Sequence, residues 1–358
     1  MITIQPENYP ALLEEKVAFI RNLFDQYPAD EINVFDSPVR HFRMRTEFRI
    51  WHDEAGLHYI MFDKSNQGEK VFITEFPQAC ENISSLMQPL LLEIQKFSSL
   101  ADKLFQIDFL STLNNETLVT LIYHKKLDAE WQQFAVKLEE KFNIFIVGRA
   151  RKQKITVSQD YVIEKLKINN VTFQYQQNEN SFTQPNAIVC QKMLSWAQNK
   201  CTNSTDDLLE LYCGNGNFTL PLSIHFQKVL ANEISKSSVN CAQNNINTNN
   251  LTNINILRMS SEEISQALSG VRKFRRMADI DINNYRFSTV FVDPPRAGLD
   301  EKTLEFISQF QKIIYISCNP LTLKENLQKL NQFTIKHLAL FDQFPYTNHI
   351  ECGMVLEK

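Results

Sequence analysis

Ser317-Cys318-Asn319-Pro320 is the segment of this chain whose residue types best suit covalent chemistry. The apolar approach from Lys312 to Ile316 reads as a strand. Pro320 suits the first position of a helix, where its missing N–H is not needed. Cys318 therefore stands on the short step between strand and helix. The positive end of the helix dipole favours a thiolate there. A cysteine so placed at the carboxyl edge of an α/β sheet is a candidate nucleophile. Taken alone, a cysteine is more often a small buried hydrophobe, so the motifs around it decide.

Leu211-Tyr212-Cys213-Gly214-Asn215-Gly216-Asn217-Phe218 follows a predicted strand and opens a predicted helix. Its two glycines allow a tight turn and a close ligand approach, but the third glycine of the dinucleotide fingerprint is absent. Glu233 ends the next strand, about twenty residues on, where a carboxylate can accept hydrogen bonds from two ribose hydroxyls. To this point nicotinamide dinucleotide and S-adenosylmethionine fit equally. Phe291-Val292-Asp293-Pro294-Pro295-Arg296 then ends the fourth strand, and its two prolines stop both helix and sheet. They display the Asp293 carboxylate rigidly at the edge where open α/β sheets bind ligands. Amino-group methyltransferases that flip a base carry a similar motif ending in an aromatic. Arg296 stands in that place here, which disfavours an amine substrate stacked on a ring.

The elements that must hold these residues change character near residue 180. Before it, helical spacing over Ala11–Phe24 and Ile83–Phe97 alternates with two hairpins, Phe48–Trp51 with Leu57–Phe62 and Leu104–Leu113 with Thr117–Tyr123. A helix at Asp128–Lys141 and a strand at Ile144–Val147 complete an α+β domain over 1–180. Gln174–Asn180 reads as a polar linker. Over 181–358, short strands at Leu208–Tyr212, Lys228–Ala231, Ile254–Leu257, Thr289–Val292 and Lys312–Ile316 alternate with helices, the pattern of a doubly wound α/β sheet. Phe333–Phe341 and Cys352–Glu357 have no helix between them and predict an antiparallel hairpin at one sheet edge. That hairpin suits a Rossmann-like methyltransferase domain better than a plain dinucleotide fold.

The chain has 358 residues, 43% hydrophobic and 22% charged, with a net charge of −4. That balance excludes a generally basic nucleic-acid coat but allows local basic patches. Seven cysteines without a C-x-x-C pair argue against a disulfide scaffold, a structural metal site and an iron–sulfur cluster. The N-terminus lacks a signal-peptide pattern and no apolar run reaches membrane-spanning length, so the expected place is the cytoplasm, with no membrane partner.

Taken together, Gly214-Asn215-Gly216, Glu233, Asp293-Pro294-Pro295-Arg296 and Ser317-Cys318-Asn319-Pro320 resemble the RNA uracil-C5 methyltransferases. Phe182-Thr183-Gln184-Pro185-Asn186 and His349-Ile350-Glu351-Cys352-Gly353 complete the pattern, which covers the second half of the chain. The resemblance implies S-adenosylmethionine as methyl donor, held by Gln184, Tyr212, Asn217, Glu233 and Asp293. It implies Cys318 as nucleophile at uracil C6 and Glu351 as acceptor of the C5 proton. Ribosomal-RNA members carry a β-barrel module and a four-cysteine cluster. Their absence here points to the T-loop uridine of the tRNA T-arm, with tRNA-like loops such as tmRNA as further substrates and no obligate protein partner.

Two rival readings remain: the same chemistry on ribosomal RNA, and a tRNA-folding protein with secondary catalysis. For the RNA itself, Phe182 is placed to stack on an extruded base or to pack in the core. Arg296 fits either a developing enolate oxygen or a phosphate. Arg43, Arg45 and Arg49, near Arg40, alternate so as to share one strand face and meet phosphates. Arg149-Ala150-Arg151-Lys152 and Arg272–Arg276 are two further basic points, and at least one of the three is expected to be only a solvated surface.

Overall fold

The computed structural model describes residues 4–26, 32–63, 68–202, 204 and 206–358. The chain forms two compact units. One comprises Pro38–Lys165 and Gln176–Ala187 with the first residues to Pro6; the other comprises Glu7–Ser37, Leu166–Tyr175 and Ile188–Lys358. The first helix and strand, α1 (Tyr9–Leu23) and β1 (Ile32–Phe35), thus belong with the C-terminal half.

The first unit is built on β2 (Arg45–Asp53), β3 (Gly56–Asp63), β4 (Glu69–Phe72), β5 (Leu104–Ser111), β6 (Thr117–Tyr123), β7 (Phe145–Ala150) and β8 (Gln153–Thr156). Their order in the sheet is β4-β3-β2-β5-β6-β7-β8, antiparallel except where β6 meets β7. Both hairpins expected from the alternation are present, with Arg49 opposite Ile60 and Phe109 opposite Val119. Helices α2 (Glu81–Ile94), α3 (Ser98–Ala101) and α4 (Ala129–Phe142) complete the unit. A parallel pair needs a crossover, and α4 supplies it between β6 and β7. The side chain of Asp128 caps α4 by accepting from the Trp131 N–H at 2.8 Å.

A two-stranded ribbon follows, β9 (Tyr161–Ile168) and β10 (Val171–Asn178). Gln174–Asn180 is therefore mostly strand rather than a linker. Phe173 and Tyr175 are buried at alternate positions, and the intervening Gln and Asn side chains mask that two-residue period in the sequence. The Asn249 side chain further binds the backbone of Gln174, N–H at 2.9 Å and carbonyl at 2.7 Å.

The second unit alternates α5 (Ala187–Asn199), β11 (Asp207–Leu211), α6 (Thr219–Ser223), β12 (Val229–Glu233), α7 (Lys236–Thr248), β13 (Ile254–Arg258) and α8 (Ser261–Leu268). It continues through β14 (Phe287–Val292), α9 (Glu301–Ile307), β15 (Lys312–Ser317), α10 (Pro320–Lys329), β16 (Thr334–Phe341) and β17 (Glu351–Glu357). The strand order is β1-β16-β17-β15-β14-β11-β12-β13. All neighbours are parallel except β17, which runs against both β15 and β16. This is the doubly wound, Rossmann-like α/β sheet expected of the C-terminal half.

The expected terminal hairpin exists, but neither of its strands forms the sheet edge. β17 inserts between β15 and β16, and β1 pairs with the far side of β16, Ile32 opposite Leu338. A four-residue strand near the chain start gives no periodic signal strong enough to announce this pairing. Apolar residues of α1 (Val17, Ile20) share one core with strand residues Leu209, Val290, Tyr315 and Met354.

Gly353 in β17 lets this sheet approach α5. A Cβ there would lie 2.7 Å from a Trp196 ring carbon and 2.9 Å from the Phe341 ring. Gly353→Ala is expected to destabilise the protein by about 1–3 kcal/mol through overpacking, read as a lower urea midpoint at unchanged m-value.

Candidate active site

The carboxyl ends of β11, β12, β14 and β15 meet at one edge of the second unit. β17 is antiparallel, so its first residue, Glu351, comes to that same edge. Register fixes the pairing: Ile316 lies opposite Gly353 and Ser317 opposite Cys352, which brings the next step, Cys318, alongside Glu351. Asp293 follows the end of β14, whose Val292 pairs with Tyr315 of β15. Strand geometry alone thus gathers Cys318, Glu351 and Asp293.

The turn that carries Cys318 is held by its neighbours. The Asn319 side chain accepts from the Leu321 N–H at 3.2 Å and caps α10. Ser317 Oγ donates to the Asn319 carbonyl at 3.0 Å. Thr322 Oγ1 and Asn319 Nδ2 donate to the Arg296 carbonyl at 3.3 and 3.4 Å, which ties the cysteine turn to the Asp293–Arg296 loop. Asn326 of α10 completes the brace: its Oδ1 accepts from the Leu299 N–H at 2.9 Å and from the Tyr315 hydroxyl at 2.8 Å. Arg296 itself points to solvent.

The electrostatics differ from the sequence expectation. Cys318 is half-buried, and burial first, then the nearby Glu351 and Asp293 carboxylates, push its thiol up to about 11. Its own backbone and Arg296 act the other way. The helix dipole therefore does not by itself yield a thiolate; it is worth at most about 2 kcal/mol, and the desolvated acids outweigh it. Glu351 is almost fully buried, and burial followed by Asp293 raises its carboxyl to about 8. The protein packed round Asp293 raises it to about 7. Each carboxylate makes ionisation of the others harder, so the cluster holds protons near neutral pH and would welcome a cation.

A second cluster lies beyond β11 and β12. Tyr212, Gly214 and Gly216 all take positive φ, at 64°, 57° and 84°. Nothing stands within 4 Å of a Cβ built on Gly214, so a ligand can approach this backbone closely. Glu233 accepts from the Gly214 N–H at 3.1 Å and from the Ser235 N–H at 2.7 Å, one through each carboxylate oxygen. Both oxygens keep a second lone pair for ribose hydroxyls. The Tyr212 hydroxyl shares a hydrogen bond with Ser261 at 2.8 Å, and Asn217 lies within 3.7 Å of the Cys190 sulfur. These residues fit a nucleoside-bearing methyl donor.

Other expected residues belong to the first unit. Phe182 is 77% exposed, so its ring does not pack in a core. Arg45 and Arg49 share the expected face of β2, but their guanidinium groups are occupied. Arg45 donates to the carbonyls of Glu179 and Ser181, and so holds the segment leading to Phe182 and Gln184. Arg49 lies 3.9 Å above the Phe105 ring, and Arg43 donates to the Arg45 carbonyl at 2.8 Å. Burial alone would raise the Glu179 carboxyl, yet Arg149 and Lys154 hold it below the usual range. Arg149 is thus an internal partner of Glu179. In the second unit, Arg276 pairs with Glu263 at 3.2 Å.

Four residues to which the sequence assigned no role bear on the site. Ile234 follows Glu233 and exposes an apolar side chain beside it. Lys16 and Asp342 form a buried ion pair. Glu210 sits inside β11, and burial, helped by Asp293, raises its carboxyl to about 8. A lone acid inside Leu208-Leu209-Glu210-Leu211 was the available signal for it.

Glu210 should make stability fall with pH. Its folded-state pKa is raised above the ordinary 4.5, so its contribution is complete below about pH 4.5 and is lost as pH rises through 8. Urea unfolding of Glu210→Gln should match the native protein near pH 5 and exceed it by roughly 2–4 kcal/mol near pH 9.

A family model described as tRNA (Uracil-5-)-methyltransferase matches residues 8–358. The chain is 53% identical over 357 residues to the tRNA/tmRNA (uracil-C(5))-methyltransferase of Acinetobacter baumannii (strain ACICU), covering 98% of this chain and 99% of that protein. It is 50% identical over 366 residues to the protein of the same name from Vibrio parahaemolyticus serotype O3:K6, covering 100% and 99%. Among solved structures, the Pyrococcus abyssi tRNA (uracil-54, C5)-methyltransferase in complex with S-adenosyl-L-homocysteine aligns with a TM-score of 0.72. It covers 98% of this chain and 83% of that one at 19% identity, and so attests the fold.

Proposed function

The chain belongs to the tRNA (uracil-5-)-methyltransferase family, and we propose on that premise that it methylates C5 of the T-loop uridine of tRNA, position 54, using S-adenosylmethionine. tmRNA, which the names of its relatives include, is a second substrate in this reading, through a tRNA-like T-loop. The observation that carries the reading is the register of β15 against β17, which sets the Cys318 thiol beside the Glu351 carboxyl at the ligand-binding edge. The reaction takes place in the cytoplasm, and Cys318 stays reduced there.

Uracil C5 is a poor nucleophile until C6 is attacked. The Cys318 thiolate adds to C6, forming a C–S bond and moving the C5–C6 π electrons onto C5 and the O4 carbonyl. Bound S-adenosylmethionine supplies an electrophilic methyl group on a sulfonium. C5 takes that methyl as the sulfonium S–CH3 bond breaks and neutral S-adenosylhomocysteine is left, so that C5 and C6 are saturated and C6 is still bonded to Cys318. Glu351 removes the remaining C5 proton; the freed pair rebuilds the C5–C6 double bond, and the C6–S bond breaks to return the thiolate. A carboxylate whose proton affinity sits near neutrality suits this removal, because it is a stronger base than an ordinary glutamate and is still ionised part of the time.

Glu233 would hold the donor's ribose through its remaining lone pairs, and the exposed apolar Ile234 next to it would offer a surface to the base. The Gly214–Gly216 backbone, Tyr212, Asn217 and Asp293 enclose the rest, and the donor's positive charge offsets the acidic cluster. The family resemblance adds Gln184 to the donor's ligands, and the exposed Phe182 would take the place of a base neighbour when the uridine is extruded. Arg296, exposed at the end of the Asp293 loop, meets the RNA. Arg43 and Arg45 shape the first unit, which is the RNA-binding one in this reading, and Arg49, stacked over Phe105 yet exposed, also meets phosphate.

Incubating unmodified tRNA with tritiated S-adenosylmethionine tests the assignment. The wild type should yield 5-methyluridine on digestion and Cys318→Ala none. Label in another nucleoside, or a fully active Cys318→Ala, removes the covalent mechanism. Proton removal also has a pH signature: because Glu351 must ionise, decay of the preformed methylated adduct should quicken about tenfold per unit below pH 8 and level above it.

A further inference from the structure

Lys16 lies on the inner face of α1, where Tyr9, Val17 and Ile20 are also buried. It is 7% exposed, although lysine is rarely buried without a partner. All three donors of its ammonium group are used: Asp342 Oδ1 accepts at 2.6 Å, the Phe344 carbonyl at 3.0 Å and the His349 carbonyl at 2.9 Å. Burial lowers the Lys16 pKa and Asp342 raises it again, so the charge is kept by its partner.

The acceptors delimit one segment, Asp342 to His349, which connects β16 to the first residue of β17. Asp342 is 1% exposed, and its N–H donates to the Phe35 carbonyl at 2.9 Å, where β1 ends. Within the segment, Thr347 Oγ1 donates to the Phe344 carbonyl at 2.8 Å and accepts from the His349 N–H at 3.1 Å. Tyr346 takes φ 63°, a conformation that a non-glycine residue holds only under constraint, and its ring lies 5.7 Å from Tyr9 of α1. The last anchored carbonyl belongs to His349, two residues before Glu351.

We propose that Lys16 is a positioning residue for the proton-removal step: by gathering Asp342 and the carbonyls of Phe344 and His349 around one ammonium, it fixes the strand entry that aims Glu351 at the substrate. The inference rests on the reading of Glu351 as the base. Lys16 touches no substrate. Loss of its grip frees the end of β17 without altering Cys318, the donor cluster or the first unit. Removing Lys16 alone would leave the Asp342 carboxylate buried and unpaired, so the variant that isolates positioning is Lys16→Met with Asp342→Asn.

The test measures turnover on unmodified tRNA, S-adenosylhomocysteine affinity, and the fraction of enzyme bound covalently to RNA on a denaturing gel. With product affinity within threefold of wild type, the double variant should lose at least tenfold in turnover while methylated adduct accumulates. Adduct forms through Cys318 but cannot decay without a placed base, and a merely structural loss would lower adduct and turnover together. Turnover within threefold of wild type overturns the inference, as does a slower variant without adduct. If the double variant does not fold, Lys16→Arg is read by the same criteria, since a planar guanidinium keeps the charge but cannot meet three converging acceptors. A wild type that forms neither adduct nor 5-methyluridine overturns the reaction itself, and this inference with it; a null effect of the variants in an active enzyme overturns the inference alone.

Discussion

One antiparallel strand decides the chemistry of this protein. In a parallel sheet every strand brings its carboxyl end to the ligand edge, so residues from strand beginnings lie at the opposite edge. β17 runs the other way, which puts its opening residue, Glu351, beside the closing step of β15. The backbone hydrogen bonds of the β15–β17 ladder then set the relation of Cys318 to Glu351 with the rigidity of a sheet. Gly353, pressed against Trp196 and Phe341, lets this strand lie flat under α5. The Asn326 brace and the Lys16 clasp serve the same end on either side: one steadies the turns that follow β14 and β15, the other the entry to β17.

Crowding buried acids near that edge is electrostatically costly. Cys318, Glu351, Asp293 and Glu210 each hold their protons more tightly than in water, chiefly because burial disfavours the charged forms. A cationic methyl donor relieves that penalty in a way a neutral ligand cannot. The same desolvation makes Glu351 a better base and, once ionised, Cys318 a better nucleophile. Donor binding and the proton balance of this cluster are therefore coupled through charge.

The first unit uses charge differently. Arg45 and Arg149 are largely internal, one gripping carbonyls and the other Glu179. They build the backbone that presents Phe182 outward. Arginine suits this because its planar fork can satisfy two acceptors at once while staying charged. A basic cluster in sequence therefore mixes structural cations with surface ones, and only partners in space tell them apart.

The sequence by itself marked the candidate site residues: Cys318 before Pro320, Glu233 after its strand, the Asp293 turn and, through the family resemblance, Glu351. It also determined the alternating α/β order and both hairpins of the first unit, because two-residue and helical periods are written locally. Tertiary structure decided what depends on distant partners. Residues 32–35 became an edge strand only because β16 offers a free side. Gln174–Asn178 became strand through two buried aromatics hidden among amides. Arg45 turned inward, Lys16 became a buried clasp across 326 residues of chain, and the Cys318 thiol was raised rather than lowered. Local propensity is a property of neighbours in sequence, whereas burial, ion pairing and pKa are set by neighbours in space; only the fold supplies those.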